Sequence, residues 1–225
     1  IVVLSDVHLS STVGRAKLDR IRRVVHAEEP DVIVSLGDLV DGSVEHLQQH
    51  MEPLRGLPAP LGKYAVLGNH EFYGGVETSV AFHEQTGFRL LRGEGVVLGD
   101  DGRLVIAGVD DPAARRFDDQ AGLDEGAALA AARGDRAVVL LKHQPAVRAA
   151  SVGKFDVQLS GHIHGGQIFP FHVFVAMAHT YGPGLHRLSD RSRLYVSRGT
   201  GTWGPKLRVL APAEITVVTL RKAAR

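Results

Sequence analysis

The sequence predicts a mixed α/β fold in which two sheets pack together and helices cover the outside. In the first third, short apolar runs alternate with helical patterns, which is typical of parallel strands joined by crossover helices. In the middle third, short strand-like runs are separated by glycines, which favours hairpins. Alternation followed by hairpins is expected for a fold with mixed sheets.

Three helices are predicted in the first third from apolar residues that recur every three or four positions. The first is expected to stop at Pro30, and the third to close at Gly87. The second is expected to begin at Ser43 as its N-cap and to end at Pro58. The positions that define them are Leu18, Ile21, Val24 and Val25, then Val44, Leu47, Met51 and Leu54, then 78–85.

Strands dominate the rest of the chain. They are expected over 88–91, 96–98, 103–109, 194–197 and 215–220, with a turn at Asp101-Gly102 and an alanine-rich helix over 124–133. The most apolar stretch outside these elements runs over 169–177. We expect a buried hairpin there. The alternative is an exposed lip, which would favour a lipid-bearing or membrane-surface substrate.

Composition limits the class of protein. The 225 residues contain no repeat or linker, so we expect one domain over 1–225. A hydrophobic fraction of 44% is globular, and a net charge of +1 argues against a nucleic-acid partner. The absence of cysteine excludes thiolate metal ligands.

Because Ile1 lies inside a predicted strand, we expect a trimmed chain whose upstream segment could have carried a signal or membrane anchor.

Five apolar runs each end in polar residues of the type that binds metals. They occupy 1–8, 32–38, 64–71, 138–143 and 157–164, and their polar residues are Asp6, His8, Asp38, Asn69, His143, His162 and His164. Open α/β sheets place their sites at the carboxyl ends of strands, so these side chains are expected to meet. Seven nitrogen and oxygen ligands are too many for one open ion and suit two divalent ions sharing a carboxylate. Manganese is the first choice, and iron or zinc also fit such ligands.

The five blocks, written D-x-H, G-D, G-N-H, H and G-H-x-H, resemble the calcineurin-like metallophosphoesterase superfamily. The chain is most similar to the bacterial branch of YaeI- and YkuE-like phosphoesterases, on the residues at 37–42, 68–71, 160–167 and 197–204. This resemblance implies a four-layer αββα sandwich, with two mixed sheets flanked by helices. It also implies hydrolysis of a phosphodiester or phosphomonoester by in-line attack of a hydroxide that bridges two metals, with a phosphodiester the first expectation.

The resemblance also implies a role for each residue of the five blocks. One ion would be held by Asp6, His8, Asp38 and His164, and the other by Asp38, Asn69, His143 and His162. His70 would contact the phosphate or protonate the leaving oxygen. Glu71 stands where many relatives have aspartate, and its carboxylate is expected to orient His70.

Substrate contacts and partners are less constrained by the sequence. Arg198, Trp203 and His172 are predicted to touch a small-molecule or lipid-linked phosphoester. Two alternative functions stay open: a lipid-linked phosphodiester or pyrophosphate hydrolase at a membrane surface, and a non-catalytic metal-binding scaffold. Neither the cellular compartment nor the oligomeric state can be predicted. The histidines outside the blocks are not predicted to bind metal. We expect His26, His46, His50 and His83 on helix surfaces, and His179 and His186 near the mouth of the site.

Overall fold

The computed structural model describes residues 1–10, 15–42, 47 and 51–221. Within them, eleven strands form two sheets. The first sheet contains β1 (Val2–Leu4), β2 (Ile33–Ser35), β3 (Lys63–Ala65), β4 (Phe88–Leu90) and β11 (Thr216–Val217). The second contains β5 (Glu94–Leu98), β6 (Leu104–Gly108), β7 (Ala137–Leu141), β8 (Val157–Ser160), β9 (Gly184–Arg187) and β10 (Arg193–Val196). The α-helices are α1 (Arg15–Ala27), α2 (Met51–Arg55), α3 (Asn69–Gly74), α4 (Val76–Gln85), α5 (Glu125–Ala128) and α6 (His172–Ala178).

Both sheets have parallel strands at their centres. The first runs in the order β11-β1-β2-β3-β4, and only β11 is antiparallel to its neighbour. The second runs in the order β5-β6-β7-β8-β10-β9, with an antiparallel strand at each edge. Because the central strands are parallel, their carboxyl ends share one edge in each sheet, where ligand sites of such folds are built.

The two sheets pack face to face through apolar side chains from both. The first sheet and the segments beside it contribute Val34 and Val66, and the second contributes Ile106, Val139 and Leu159, all buried. Helices α1, α2 and α4 cover the outer face of the first sheet. The outer face of the second carries α5, a short 3-10 turn at Leu129–Ala131 and the side chain of Phe155. The predicted αββα sandwich is confirmed, with a thin fourth layer where a longer helix over 124–133 was expected.

Two segments differ from the expectation. The strand expected over 215–220 is present but shorter, since β11 covers Thr216–Val217 and its pairing continues only through the hydrogen bonds between Val218 and Ile1. The apolar stretch at 169–177 is not a buried hairpin, because α6 occupies most of it and has no buried residue. Val175 packs against a small cluster that includes Ile163, whereas Val173, Phe174 and Met177 of the same helix are exposed. The N-cap Ser43 and the surface histidines His46 and His50 lie outside the described residues.

None of the described helices is both long and apolar enough to cross a bilayer.

His83 was expected on a helix surface and is fully buried instead. Its ring packs edge-on to the rings of Phe82 and Phe88, with centroids 6.3 Å away in both cases. The Nδ1 atom lies 2.7 Å from the Ser79 carbonyl oxygen, while Nε2 has no hydrogen-bond partner among the described residues. Burial lowers the pKa of His83 to about 4, so the ring is neutral in the folded protein at neutral pH.

We expect His83 to make the fold less stable as pH falls. The ring titrates near pH 6.5 in an unfolded chain but near 4 when folded, so the unfolded state takes up the proton first. The stability that neutral His83 supplies is complete above pH 6.5 and declines between 6.5 and 4. His83→Gln should therefore reduce the loss of unfolding free energy between pH 7 and pH 5 by about 2 kcal/mol, measured by urea titration. The exposed His26→Gln is the control, and an unchanged pH dependence in His83→Gln would contradict this account.

Candidate metal centre

The loops that follow the central strands continue the sheet register and so lie side by side. The amide of Asp6 donates to the Gly37 carbonyl at 3.1 Å, and the amide of His8 donates to the Asp38 carbonyl at 2.9 Å. On the second sheet, the amide of Gly161 donates to the His143 carbonyl at 2.8 Å. These bonds extend parallel pairing beyond the strands of each sheet, and they align the ends of four of the five blocks of the sequence.

Most of the predicted ligands have an unusual backbone. Eight non-glycine residues among those described have a positive φ, and five of them belong to the predicted site: Asp6, His8, Asp38, His162 and His164, with φ between 50° and 73°. Side chains disfavour this left-handed region, at a cost of about 1–3 kcal/mol per residue. Such strain persists only where surrounding contacts hold it, and its concentration here indicates a functional constraint.

Two glycines are required because side chains of the site pass directly over them. A Cβ atom at Gly68 would overlap the Asp38 carboxylate, and one at Gly161 would overlap the Asp6 carboxylate and the Ser5 hydroxyl. The glycine that precedes Asn69 and the glycine that precedes His162 therefore let two ligand loops approach their neighbours.

A first cluster is formed by Asp6, His8 and His164, all of which are buried. His164 Nε2 lies 3.5 Å from Asp6 Oδ1 and 3.0 Å from His8 Nε2. Arg208 extends to the same turn, donating from Nη1 to the His164 carbonyl at 3.0 Å. Three donor atoms that face one another at these distances suit a single cation between them.

A second cluster is formed by Asp38, His143 and His162. His143 Nε2 lies 3.1 Å from His162 Nδ1 and 3.1 Å from Asn69 Oδ1. The other ring nitrogen of His143 lies 2.9 Å from the Leu36 carbonyl, which sets the ring orientation and leaves Nε2 facing the cluster.

Asp38 joins the two clusters. Its Oδ2 atom is 3.2 Å from His143 Nε2 in the second cluster and 3.7 Å from His8 Nε2 in the first. Its Oδ1 atom accepts a hydrogen bond from the His70 amide at 2.9 Å. Burial by itself would raise the pKa of Asp38, but the neighbouring His143 ring, with His8 and His70, holds that pKa well below its usual range. An ionised carboxylate thus lies between two sets of imidazoles.

The protonation of the histidines fits cation binding. Burial lowers the pKa of His162 and of His164 to about 4, so both rings are neutral at pH 7, the form that ligates metals. Burial also opposes a charge on His143, but the adjacent Asp38 raises its pKa above the usual value, so this corner attracts positive charge. The donor set of carboxylates, imidazoles and one amide suits divalent ions of the manganese, iron and zinc type. The structure therefore brings together all seven predicted ligands in an arrangement that fits metal, and their ligand role stays a prediction.

His70 lies at the mouth of the clusters and is held by Asp41. Its Nδ1 atom is 2.8 Å from Asp41 Oδ1, and its ring centroid is 4.8 Å from that of His8. The hydrogen bond with His70, followed by that with His8, lowers the pKa of Asp41. Burial by itself would lower the pKa of His70, but the Asp41 hydrogen bond together with the charges of Asp38, Asp41 and Glu71 raises it above its usual value. From the sequence, Asp41 could be either a support for the site or a helix-start acceptor. The available signal was its position three residues after Asp38.

The expectation that Glu71 orients His70 was wrong. The buried Glu71 carboxylate accepts four backbone N–H groups instead: those of Gly68, Asp38, Leu39 and Val40, at 2.7–3.1 Å. Burial and then the Asp38 charge raise the pKa of Glu71 to about 7, and the N–H groups of Val40 and Asp38 oppose that rise. The glutamate is long enough to reach across to the loop after β2, so its role is to hold that loop against the start of α3.

The three predicted substrate residues lie around the mouth in different ways. Trp203 is 56% exposed, with its ring 6.0 Å from that of His70. Arg198 is half exposed, and its Nη1 donates to Glu214 Oε2 at 2.8 Å. His172 stacks on Phe169 at 5.3 Å at the start of α6. Among the other histidines, His179 approaches the His162 ring at 5.7 Å.

Two structural supports of the mouth escaped the sequence reasoning. Arg208 donates to five carbonyls, including those of His164 and Arg198, and so ties the loops on both sides of the first cluster together. The Gln167 amide pairs with both the N–H and the carbonyl of Trp203 at 2.8 Å. The only signal in the sequence was that Gln167 follows directly after the G-H-x-H-G-G block. No motif marks Arg208.

Replacing Glu71 by glutamine should destabilise the protein strongly. A glutamine offers one oxygen, so its NH2 group would face two of the four backbone N–H groups and leave them unpaired. Each buried unpaired group costs about 1–3 kcal/mol, and we expect Glu71→Gln to lose about 2–5 kcal/mol of unfolding free energy by denaturant titration. The same change at the exposed Glu77 on α4 should cost little. A loss below 1 kcal/mol (roughly the value of one ordinary hydrogen bond) would argue against the role assigned to Glu71.

Comparison with known sequences supports one family. The profile of the calcineurin-like phosphoesterases matches residues 1–166. An uncharacterized metallophosphoesterase of Aquifex aeolicus is 38% identical over 218 residues, which cover 96% of this chain and 83% of that protein. A Bos taurus protein named as a transmembrane protein with a metallophosphoesterase domain is 38% identical, over 99% of this chain and 53% of that one. The uncharacterized metallophosphoesterase YkuE of Bacillus subtilis is 34% identical, over 98% of this chain and 78% of that one.

The chain spans 59% of the length of the related metallophosphoesterases of Campylobacter jejuni and Helicobacter pylori. Among solved structures, a dimetal phosphatase from Danio rerio has the same fold, with a TM-score of 0.56 at 14% identity over 88% of this chain and 86% of that one. The sequence relatives and the candidate ligand clusters together support a metal-dependent phosphoesterase. The chain belongs to the calcineurin-like phosphoesterase family.

Proposed function

We propose that the protein is a dinuclear metal-dependent phosphoesterase that hydrolyses phosphodiesters. The observation that carries this proposal is the Asp38 carboxylate, whose Oδ2 atom faces the imidazoles of both clusters within 3.7 Å. One ion would be held by Asp6, His8, Asp38 and His164, and a second by Asp38, Asn69, His143 and His162. A carboxylate placed in this way is the group that two neighbouring cations can share.

Two divalent ions at these positions, manganese in the first instance, would supply Lewis acidity towards phosphoryl oxygens and lower the pKa of bound water. The chain's own contribution is to place the donors and to limit water. Six of the seven predicted ligands are buried, so their interactions with an anionic phosphate are screened less than they would be at an exposed surface.

His70 is the proposed proton donor to the leaving oxygen. It is not needed as a ligand, it lies at the mouth, and Asp41 holds its Nδ1 side so that Nε2 is directed away from that contact. The Asp41 hydrogen bond also favours the protonated ring, which is the form that can donate a proton. Trp203, whose ring lies 6.0 Å from that of His70, is a proposed substrate contact, and so are Arg198 and His172.

A lipid-linked phosphodiester or pyrophosphate is a second candidate substrate class. The specific observation in its favour is the exposed apolar helix α6 beside the mouth. The name of one relative agrees with it, since the Bos taurus protein is described as a transmembrane protein with this domain. A nucleic-acid substrate is not proposed, because the net charge of +1 offers no general attraction to phosphate backbones.

Hydrolysis of bis(p-nitrophenyl) phosphate by purified protein with added manganese is the first test of the proposed function. Turnover that chelator removes and manganese restores would support it. Metal uptake without any turnover of aryl phosphodiesters or monoesters would instead support a non-catalytic scaffold.

Asp38→Asn should abolish turnover and lower the metal content. An amide is neutral and a poor bridge between two cations, so we expect bound manganese to fall from two equivalents to one or none, measured by elemental analysis after gel filtration. The exposed Asp101→Asn is the matched control and should keep both ions. If the Asp38 variant kept two ions and full turnover, the bridging role would be excluded.

His70→Ala should keep both metals and lose turnover in a way that depends on the leaving group. A general acid contributes roughly 10²–10⁴-fold, and this contribution matters most when the leaving oxygen is basic. We therefore expect the largest loss of kcat for alkyl phosphodiesters and the smallest for p-nitrophenyl esters. Asp41→Asn should show the same dependence to a smaller extent, whereas the exposed His26→Ala should be unchanged. Equal losses for both substrate types would mean that His70 binds phosphate without donating a proton.

A further inference from the structure

A large exposed apolar surface borders the mouth of the metal centre. It is formed by eight side chains that are between 37% and 84% exposed: Phe169, Phe171, Val173, Phe174, Met177, Leu207, Val209 and Leu210. We call this set the apolar rim. Single exposed apolar residues are ordinary, but a contiguous group of this kind marks a surface that contacts a membrane or a partner.

Helix α6 exposes apolar side chains of the apolar rim to water. Six of its seven residues are apolar, and none is buried. Phe174 is 62% and Met177 is 80% exposed. A helix that is apolar around its circumference is stable only when another apolar phase or surface covers it.

The two chain segments of the apolar rim form one surface. Ile168 forms a parallel β-bridge with Val209, and the amide of Phe169 donates to the Val209 carbonyl at 3.1 Å. The Gln167 amide holds the backbone of Trp203 from the same side. The strand-like pairing fixes the segment at 203–210 beside α6, so the phenylalanines and Leu210 belong to a connected surface.

This surface is placed beside the site. The turn that carries His164 ends at Gly166, only three residues before Phe169. At the other end of α6, the ring of His179 lies 5.7 Å from that of His162. Trp203 connects the apolar rim to His70 across a ring distance of 6.0 Å. A flat apolar phase that covered the apolar rim would therefore lie next to the metal clusters.

The charges around the apolar rim are basic. Residues 166–178 contain no lysine, arginine, aspartate or glutamate, and residues 203–210 contain Lys206 and Arg208 but no acidic residue. Lys206 is exposed between Trp203 and Leu207. It also lines a cleft of about 740 Å³ together with Lys17 and Arg20, where Glu214 is the single carboxylate. Anionic headgroups are attracted to such a basic border.

We propose that the apolar rim inserts into the headgroup region of a bilayer that contains anionic phospholipid. The exposed phenylalanines and Leu210 supply the apolar contact, and Lys206 with the adjacent basic cleft supplies the attraction to the lipid phosphates. A second copy of the chain fits less well, because a symmetric contact through the apolar rim would bring the same basic residues together. A consequence that rests on the proposed function is that the preferred phosphoester is embedded in the bilayer surface.

Binding to lipid vesicles tests the docking independently of catalysis. We expect the wild-type protein to co-sediment with phosphatidylcholine vesicles that contain phosphatidylglycerol, and to bind pure phosphatidylcholine and high-salt samples more weakly. Phe174→Ser and Leu210→Ser should each weaken this binding roughly tenfold or more. Leu61→Ser is the matched control, because Leu61 is 38% exposed just before β3, at the opposite edge of the sheet.

The outcomes are distinct. No vesicle binding by the wild-type protein, or equal binding by all three variants, would overturn the docking surface. A protein dimer in solution that Phe174→Ser and Leu210→Ser disrupt, without any vesicle binding, would assign the apolar rim to a second copy instead. The inactive Asp38→Asn should bind vesicles like the wild type, which separates docking from turnover.

The substrate consequence is tested with two esters that share one leaving group. Soluble bis(p-nitrophenyl) phosphate is compared with hexadecyl p-nitrophenyl phosphate presented in the anionic vesicles, where water cleaves the ester to hexadecyl phosphate and p-nitrophenol. Phe174→Ser and Leu210→Ser should lower hydrolysis of the hexadecyl ester by the same factor as vesicle binding and leave the soluble ester unchanged. Equal rates on both esters for these variants and wild type would overturn the lipid preference. Hydrolysis of neither ester by the wild type would overturn the proposed function while leaving the vesicle result to decide the docking.

Discussion

The buried carboxylate of Glu71 is the contact on which the site depends. It accepts N–H groups from the loop after β2 and from the residue that precedes α3, and so it connects the backbone of Asp38 with that of Asn69 and His70. A carboxyl group that accepts four N–H groups can hold a backbone that would otherwise relax, such as Asp38 with φ at 50°. The strained loops and the convergent side chains therefore have one common support.

The electrostatics of the centre follow from the position of Asp38. Its carboxylate lies between imidazoles on both sides, and it is kept ionised although it is buried. At the same time burial keeps His162 and His164 neutral. The site thus combines a negative charge, which attracts divalent cations, with uncharged nitrogen donors, which do not repel them.

The metal clusters and the surface around them differ in polarity and in burial. Around the clusters, the polar residues are buried and held by several partners each. Outside them, α6 and the segment at 203–210 expose apolar side chains, although both are anchored through Gln167 and Val209. A rigid polar centre bordered by an apolar surface is consistent with a site that meets its substrate at an interface between water and an apolar phase.

The sequence by itself determined the family, the sandwich and the identity of the residues that converge. Parallel strands align their ends within a sheet, so the sequence placed Asp6 beside Asp38 and His143 near His162, and the packing of the two sheets then brought both pairs together. The partners of single side chains could not be predicted, because they depend on distances across the fold. Glu71 binds backbone while Asp41 holds His70, and His83 is buried although its helix position suggested a surface. Only the tertiary structure decided that 169–177 is exposed. An apolar segment has the same sequence pattern whether protein or another apolar phase covers it, so the pattern does not distinguish the two cases.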